Sequence, residues 1–418
     1  MQQLDTDVLI VGAGPTGLAL ATSLQQAGVD HMLVDALPSG LNTSRAAVIH
    51  PHTLEMLEQL GVVDNLRAHG LPLNRFTIRD RDEALLDIGF EQLPSEFRNI
   101  LMLPQPKTEM ALALRLDALG GTVWRGTKAV GATQHGDHVA VRLDRSGKEE
   151  VVHAKFVVGA DGMHSGIRQS SNIEFEGEAY GESFVLADVR MDWPLGQSEV
   201  SLCFSPAGLV VVAPLPDGSF RIVATIDEAP ETPTLEDMQR LLDKRGPQTS
   251  PAAIREVVWS SRFRVHHRLA SSYRDGRILL MGDAAHVHSP AGGQGMNTGL
   301  VDAVVLGQAL TAVVRDRAPM STLDAYAATR RSAAAEVLSL ASRLTRIATV
   351  RSIMLRILRN MALRLLNRVP GFKRKLALQL SGISRRHLSA LPTQPNVRLN
   401  GGSPPTPSPH LKEGLSHA

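Results

Sequence analysis

A short glycine motif near the N-terminus constrains this chain more than any other feature. Gly12-Ala13-Gly14-Pro15-Thr16-Gly17 has G-x-G-x-x-G spacing. An apolar run, residues 6–12, reads as a buried strand before it. Residues 16–27 read as a helix after it, ending at Gly28. His31–Val34 forms a second strand, and Asp35 ends it. Strand, glycine turn, helix, strand and terminal acid make a right-handed βαβ unit with parallel strands. In such a unit the first glycine permits a tight turn and the second admits a pyrophosphate to the backbone. The third lets helix and strand pack closely. The helix N-terminus offers free N–H groups to phosphates, and the acid suits a ribose hydroxyl. The pattern points to a dinucleotide and leaves FAD and NAD both open.

The bulk numbers set the frame. At roughly 100–200 residues per domain, 418 residues allow two or three domains. A hydrophobic content of 43% and a charged content of 21% are ordinary for a soluble globular protein. The net charge of +2 creates no global field for an acidic partner. Cys203 is the only cysteine, which excludes an internal disulfide framework and a cysteine-rich metal site. It fits a reducing, cytoplasmic setting. The glycine motif begins too early to leave room for a signal peptide. No apolar run is long enough to predict a spanning helix. Aromatic residues make up only 4%, so a pocket here is expected to be lined by Leu, Val, Met and Ala.

Further along, residues 52–60 and 108–119 read as helices. Residues 75–90, Val139–Leu143 and Val151–Val158 read as strands. From about 180 to 265, strand-like runs (Phe184–Val189, Leu209–Ala213, Arg221–Ile226) alternate with Pro/Gly/Asp turns, around one helix near 234–244. Residues 278–283 return to a buried strand, 296–315 to a helix, and 322–390 are helical with a break at Pro370-Gly371. The fold class is therefore α/β: a dinucleotide-binding domain of parallel sheet and helices, an inserted, mostly antiparallel sheet domain, and a C-terminal helical segment. The expected division is 1–75, 106–178 and 266–342 for the first domain and 76–105 and 179–265 for the second. A basic helical segment, 343–391, follows, and then a Pro/Ser/Gly-rich tail, 392–418, which reads as disordered. No internal repeat is visible.

Two more motifs carry chemistry. In Val157-Val158-Gly159-Ala160-Asp161-Gly162, a buried strand ends in an acid–glycine pair, with Ser165 and Arg168 following. This is equally a plain turn when taken alone. In the third, an apolar strand delivers Asp283, then Pro290-Ala291-Gly292-Gly293-Gln294-Gly295 leads into a helix near Met296-Asn297. The carboxylate suits a polyol hydroxyl, the glycine loop lets backbone N–H groups reach a flat ring edge, and the helix N-terminus suits the ring's electron-rich side.

Together the three motifs resemble the para-hydroxybenzoate hydroxylase-like, or group A, FAD-dependent aromatic monooxygenases, most of all the phenol and polyketide hydroxylase branch. The resemblance runs from about residue 5 to 345. It implies that Gly12, Gly14 and Gly17 hold the FAD pyrophosphate and that Asp35, where the family more often has Glu, takes the adenosine ribose. It places Arg45 near the phosphates, Gln105 on the ribityl chain and the Val130 backbone on adenine. Asp161 and Gly162 are implied in FAD and NAD(P)H binding, Asp283 in holding the ribityl or phosphate portion, and Gly295, Met296 and Asn297 in edging the isoalloxazine. The implied reaction uses NADH or NADPH and O₂ to hydroxylate a small aromatic or polyketide-like substrate through a flavin C4a-hydroperoxide, with the Pro290 carbonyl close by. The chain departs from the pattern at His52, where many relatives have Arg, and before Arg330, where they have an acid. It stops before the thioredoxin-like third domain of many relatives. Two readings stay open beside this one: an FAD-dependent reductase of a lipid or isoprenoid, and a non-catalytic FAD-binding protein.

His266-His267 read first as structural, and His286 as a stabiliser of the flavin loop. His288 is a candidate for acting on substrate, because imidazole titrates near neutral pH. Cys203 lacks the surroundings of a reactive thiol. Residues 343–386 carry twelve Arg and Lys and no acid, interleaved with Leu, Ile and Met. The favoured reading is a cap whose apolar stripe packs on the FAD domain. A membrane-surface helix is the second reading. Nucleic-acid binding is disfavoured because no stacking aromatics accompany the charges.

Overall fold

The computed structural model describes residues 3–40, 46–205, 207–226, 230–350 and 352–391. The N-terminal apolar run forms the strand Gln3–Val11, with Val8, Leu9 and Ile10 buried on both faces. It pairs in parallel with His31–Val34 on one side and Lys148–Gly159 on the other. Ile278–Leu280 extends the sheet beyond Lys148–Gly159, and Val123–Trp124 extends it beyond His31–Val34, both in parallel. Strands covered on two faces need continuous apolar runs, and residues 8–11, residues 156–158 and Ile278–Leu280 supply them at the centre of the sheet. The helices Pro15–Ala27 and Gly295–Val314 bury Leu18, Leu20, Leu24, Leu300, Val304 and Leu306 in the same core. Gly295–Val314 is also long and apolar enough to cross a membrane, but it lies inside this core.

A second, eight-stranded sheet runs in the order His286–Val287, Ala253–Ala270, Phe175–Asp192, Phe220–Ile226, Gly208–Pro214, Val200–Ser205, Arg75–Asp80, Glu83–Gly89. All pairs are antiparallel except Val200–Ser205 with Arg75–Asp80. The strands Phe175–Asp192 and Ala253–Ala270 pair along most of their length and link the two sheets. Side chains on this sheet alternate with period two. Val185, Ala187, Cys203, Val210, Val212, Ile222 and Ala224 pack beneath the helix Leu235–Arg245. Phe184, Leu186, Leu202, Phe204, Val211 and Val223 face the other way, into a cavity. A three-stranded sheet of Val48–Ile49, Ile100–Met102 and Leu71–Leu73 lies beside them.

Some local expectations are corrected. The strand before Asp283 ends at Leu280, and Asp283 sits on a short 3-10 turn, Gly282–Ala284. The C-terminal region is the helices Ser321–Ala348, Ile353–Asn367 and Pro370–Leu380, then a 3-10 segment, Ile383–Ser389. Pro370 starts a helix instead of merely interrupting one, as its fixed φ and missing N–H favour at the first position. The basic segment divides its packing: Ile383–Ser389 meets the helices Pro51–Glu58, Gly295–Val314 and Ser321–Ala348, while its buried apolar residues lie elsewhere. Leu363, Ala377, Leu380 and Ile383 pack with Phe76, Ile88 and Phe90 beside the second sheet. Most of the apolar side chains of Ile353–Asn367 face outward. The tail, 392–418, lies outside the described residues.

Candidate active site

The glycine motif folds as its chemistry requires. Gly12 has φ +104°, and a Cβ there would collide with the Ala160 backbone. A Cβ on Gly17 would overlap the Gly12 carbonyl oxygen, so the third glycine is needed for packing. A Cβ on Gly14 would meet nothing within 4 Å, and this glycine opens onto the cavity. Asp35 fixes the loop: Ala13 N donates to its Oδ2 at 2.6 Å and Leu37 N to its Oδ1 at 2.8 Å.

One cavity of about 1030 Å³ joins these groups to the second sheet. Gly12, Gly14, Asp35, Gln105, Val130, Asp161, Gly162, Asp283, His288, Pro290, Gly295 and Met296 line it, together with the apolar sheet face. Two of the candidates from sequence stand behind the wall instead. Gly17 is the packing glycine. The Asn297 amide is spent on the loop, donating to Val48 O and Gly293 O and accepting from His50 N at 2.8–2.9 Å. Arg45 lies outside the described residues.

Asp161 is held at the end of its strand. Gly166 N donates to its Oδ2 at 2.8 Å, while Oδ1 is buried with no hydrogen-bond partner among the described residues. Burial pushes its carboxyl above the usual range, against hydrogen bonds from Ser165 and Ile167. Arg168 donates to Met163 O at 2.7 Å and Ala284 O at 2.6 Å, over the Phe175 ring. It thereby ties the Asp161 turn to the turn that carries Asp283.

The His288 ring donates Nδ1–H to Ser289 O at 2.8 Å, while Nε2 is buried with no hydrogen-bond partner among the described residues. Burial pushes this imidazole down to about 4. The expectation of titration near neutrality is therefore corrected: at pH 7 His288 is uncharged and presents a lone pair. On the substrate side, Arg221 grips Asp188 through two 2.7 Å hydrogen bonds.

Sequence reasoning missed what holds the flavin loop. His50 Nε2 lies 2.8 Å from Gly292 O, and Gln294 Nε2 donates to Leu380 O at 2.9 Å. Arg385 donates to Gln294 Oε1 at 2.8 Å. Below them, Asp302 accepts from Gly282 N at 3.2 Å and Arg330 Nε at 2.7 Å, and His286 Nε2 is 2.8 Å away. Asp302, the one charged residue in the helix Gly295–Val314, was the available signal. His52 contacts Glu55 and Ser389 instead of the cavity. Cys203 is buried, its thiol pushed up to about 12, in keeping with a plain strand residue.

The profile of the FAD binding domain family matches residues 5–341. The chain belongs to that family. It is 37% identical over 375 residues to the 6-methylpretetramide 4-monooxygenase of Streptomyces rimosus, covering 88% of this chain and 67% of the relative. It is 36% identical over 419 residues to an uncharacterized aromatic compound monooxygenase of Bacillus subtilis, covering 98% and 82%. The solved structure of p-nitrophenol 4-monooxygenase from Pseudomonas putida superposes with a TM-score of 0.84 at 25% identity, covering 94% of this chain and all of that one. The chain is an FAD-dependent monooxygenase, an oxidoreductase with NAD(P)H as co-substrate. The open flank of Gly14, the unpartnered Asp161 Oδ1 and the cavity's reach between both sheets all fit FAD.

Proposed function

We propose that this FAD-dependent monooxygenase hydroxylates a small aromatic or polyketide-like substrate, using O₂, in the cytoplasm. The observation that carries the reading is the single cavity that begins at the glycine motif, passes His288 and Pro290, and ends on the apolar face of Phe184, Leu186, Leu202, Phe204 and Val223. Such a surface suits flat, weakly polar rings. Relatives named for 6-methylpretetramide and pentachlorophenol support the class. In this reading the discontinuous segments 1–75, 106–178 and 266–342 form the FAD domain, and 76–105 with 179–265 form the substrate domain.

The cavity wall supports the following residue roles. Gly12, Gly14 and the N-terminus of Pro15–Ala27 hold the pyrophosphate, and Asp35 takes the ribose. Gln105 and Asp283 hold the ribityl portion and Val130 the adenine. Asp161 and Gly162 serve FAD and NAD(P)H, and Gly295 and Met296 edge the ring. The chemistry that FAD supplies when bound is acceptance of reducing equivalents from NAD(P)H and activation of O₂ for insertion of one oxygen atom. The chain's own task is to orient the substrate and keep water out. His288 Nε2 would accept a hydrogen bond from a substrate hydroxyl, and the Pro290 backbone would stand near the flavin.

The test uses purified FAD-loaded protein, NADH or NADPH, and ¹⁸O₂, with a one-ring phenol and a multi-ring phenol as substrates. Substrate-stimulated NAD(P)H oxidation with one labelled oxygen in the product is expected. NAD(P)H oxidation that yields no labelled product from either class would overturn the reading.

A further inference from the structure

The helix Ile353–Asn367 is turned inside out relative to the usual surface helix. Met354, Leu358, Met361 and Leu365 fall at i, i+4, i+7 and i+11, which is one stripe of a helix. They are 71%, 54%, 57% and 64% exposed. Ile353, Leu355 and Ile357 widen the stripe and are also exposed. The polar side faces the protein. Asn360 Nδ2 donates to Asp80 Oδ2 at 2.6 Å, Asn367 Oδ1 accepts from Asp87 N at 3.1 Å, and Arg359 donates to Phe204 O at 3.0 Å. Hydrogen bonds thus fix the helix with its apolar side outward. A contiguous apolar stripe held toward solvent marks a docking surface.

We propose that this face docks in the plane of an anionic lipid surface. Charge supports the choice of occupant. The exposed cations Arg343, Arg346, Arg368, Arg374 and Lys375 flank the stripe in the sequence, and no acid occurs from 343 to 391. The acids beside the helix are engaged: Glu83 pairs with Arg364, Asp80 accepts from Asn360 and Asp87 pairs with Arg75. A second copy, docked antiparallel through the same stripe, would bring Arg343 and Arg346 against Arg368, Arg374 and Lys375, and like charges there oppose association. The tail from 392 offers few apolar side chains to cover the stripe. At about 1.5 Å per residue a helix of this length spans about 22 Å, less than the roughly 30 Å of a bilayer core, so it lies in the interface. Leu344 and Ala348 before the helix, and Leu376 and Leu380 after it, line the cavity. Docking therefore sets one cavity wall beside the lipid, a short path for an apolar substrate.

The experiment is co-sedimentation of the full, FAD-loaded chain with vesicles of phosphatidylcholine alone or mixed with phosphatidylglycerol, at low and high salt. Binding to the mixed vesicles is expected, weakening as salt rises. Replacing Met354, Leu358, Met361 and Leu365 together by Ser should weaken partitioning about tenfold or more. Retained FAD absorbance shows that this variant is folded. Arg374→Ser with Lys375→Ser should weaken only the binding that needs phosphatidylglycerol. Wild-type protein that stays in the supernatant with every vesicle overturns the proposal, as does binding unchanged in the four-Ser variant. A wild-type dimer that the four-Ser variant dissolves, without vesicle binding, overturns it in favour of a second copy.

Discussion

Asp302→Asn tests whether the buried acid below the flavin loop holds the FAD site in place. The carboxylate accepts from Gly282 N and Arg330 Nε, and His286 Nε2 lies against it, all buried. Asn keeps the shape and one acceptor oxygen. Its NH₂ group, however, replaces Oδ2 and faces the Gly282 N–H, where donor meets donor. His286 can answer by changing tautomer, but the Gly282 N–H cannot, and a buried unpaired N–H costs about 1–3 kcal/mol. Arg330 also loses its counter-charge. Breaking a buried pair on one side costs about 3–5 kcal/mol, a figure that already contains much of the first. With about 2–4 °C per kcal/mol as an upper guide for a chain this long, Tm should fall by roughly 5–15 °C. Gly282 carries Asp283, so FAD affinity should fall as well. Burial opposes the Asp302 charge, but Arg330 and His286 outweigh it and hold the carboxyl below its ordinary range. A depressed carboxyl stabilises the fold above the unfolded pKa, and that contribution is lost as pH falls through the folded value. The gap between wild type and variant should therefore close in acid. Thermal unfolding against pH, with FAD titration of the apoprotein at 25 °C, measures both effects. A Tm within about 2 °C of wild type at pH 7, with unchanged FAD affinity, would refute the reasoning.

Gly14→Val should leave the fold intact and abolish FAD retention, because its side chain meets only cavity; a yellow variant counts against the pyrophosphate assignment. Asp283→Ala should weaken FAD binding about ten- to hundredfold, more than Asp161→Ala, which should mainly slow reduction by NAD(P)H; titration of both apoproteins with FAD, and stopped-flow reduction, decide the order. His288→Leu should raise the KM for a phenolic substrate while His288→Gln recovers part of it, and neither should move the pH profile near neutrality, since burial holds the imidazole at about 4. A profile that loses a step near pH 6–7 in His288→Leu would make His288 a titrating base instead.

The first βαβ unit was legible because local rules agree there: the apolar run, the glycines, the helix stop at Gly28 and Asp35 all demand the same turn. The cavity-lining candidates at Asp161, Asp283, Gly295 and Met296 were legible because glycines punctuate the chain beside each: Asp161 and Asp283 lie on turns just past a strand, and Gly295 and Met296 open a helix. The hidden part is non-local. His50 and Asn297 are far apart in sequence yet share a hydrogen bond, and no periodicity announces it. Arg330 read as a departure because its expected local acid is missing; the acid it uses is Asp302, on another helix. The strand Ala253–Ala270 was only partly seen because its charged and polar residues mask the alternation.

The basic C-terminal segment shows why composition could not settle its role. Its charges serve two opposite ends. Arg385 reaches Gln294 in the flavin loop, Arg386 grips Glu55, and Arg359 and Arg364 tie a helix to the second sheet. Others, Arg343, Arg346, Arg368 and Arg374 among them, face solvent. In the sequence these sets interleave within one run, and only the direction of each Cα–Cβ bond separates them. The apolar residues divide in the same way: Leu363 enters the core while Met361 and Leu365, two residues to either side, leave it. With Asn360, Asn367 and Arg359 bonded inward around Leu363, the helix needs no broad apolar inner face, and its stripe is left for contact outside the chain. The same segment thus meets the loop at Gln294 through Leu380 and Arg385 and turns Met354 and Leu358 to solvent, two tasks that its sequence carries within thirty-two residues.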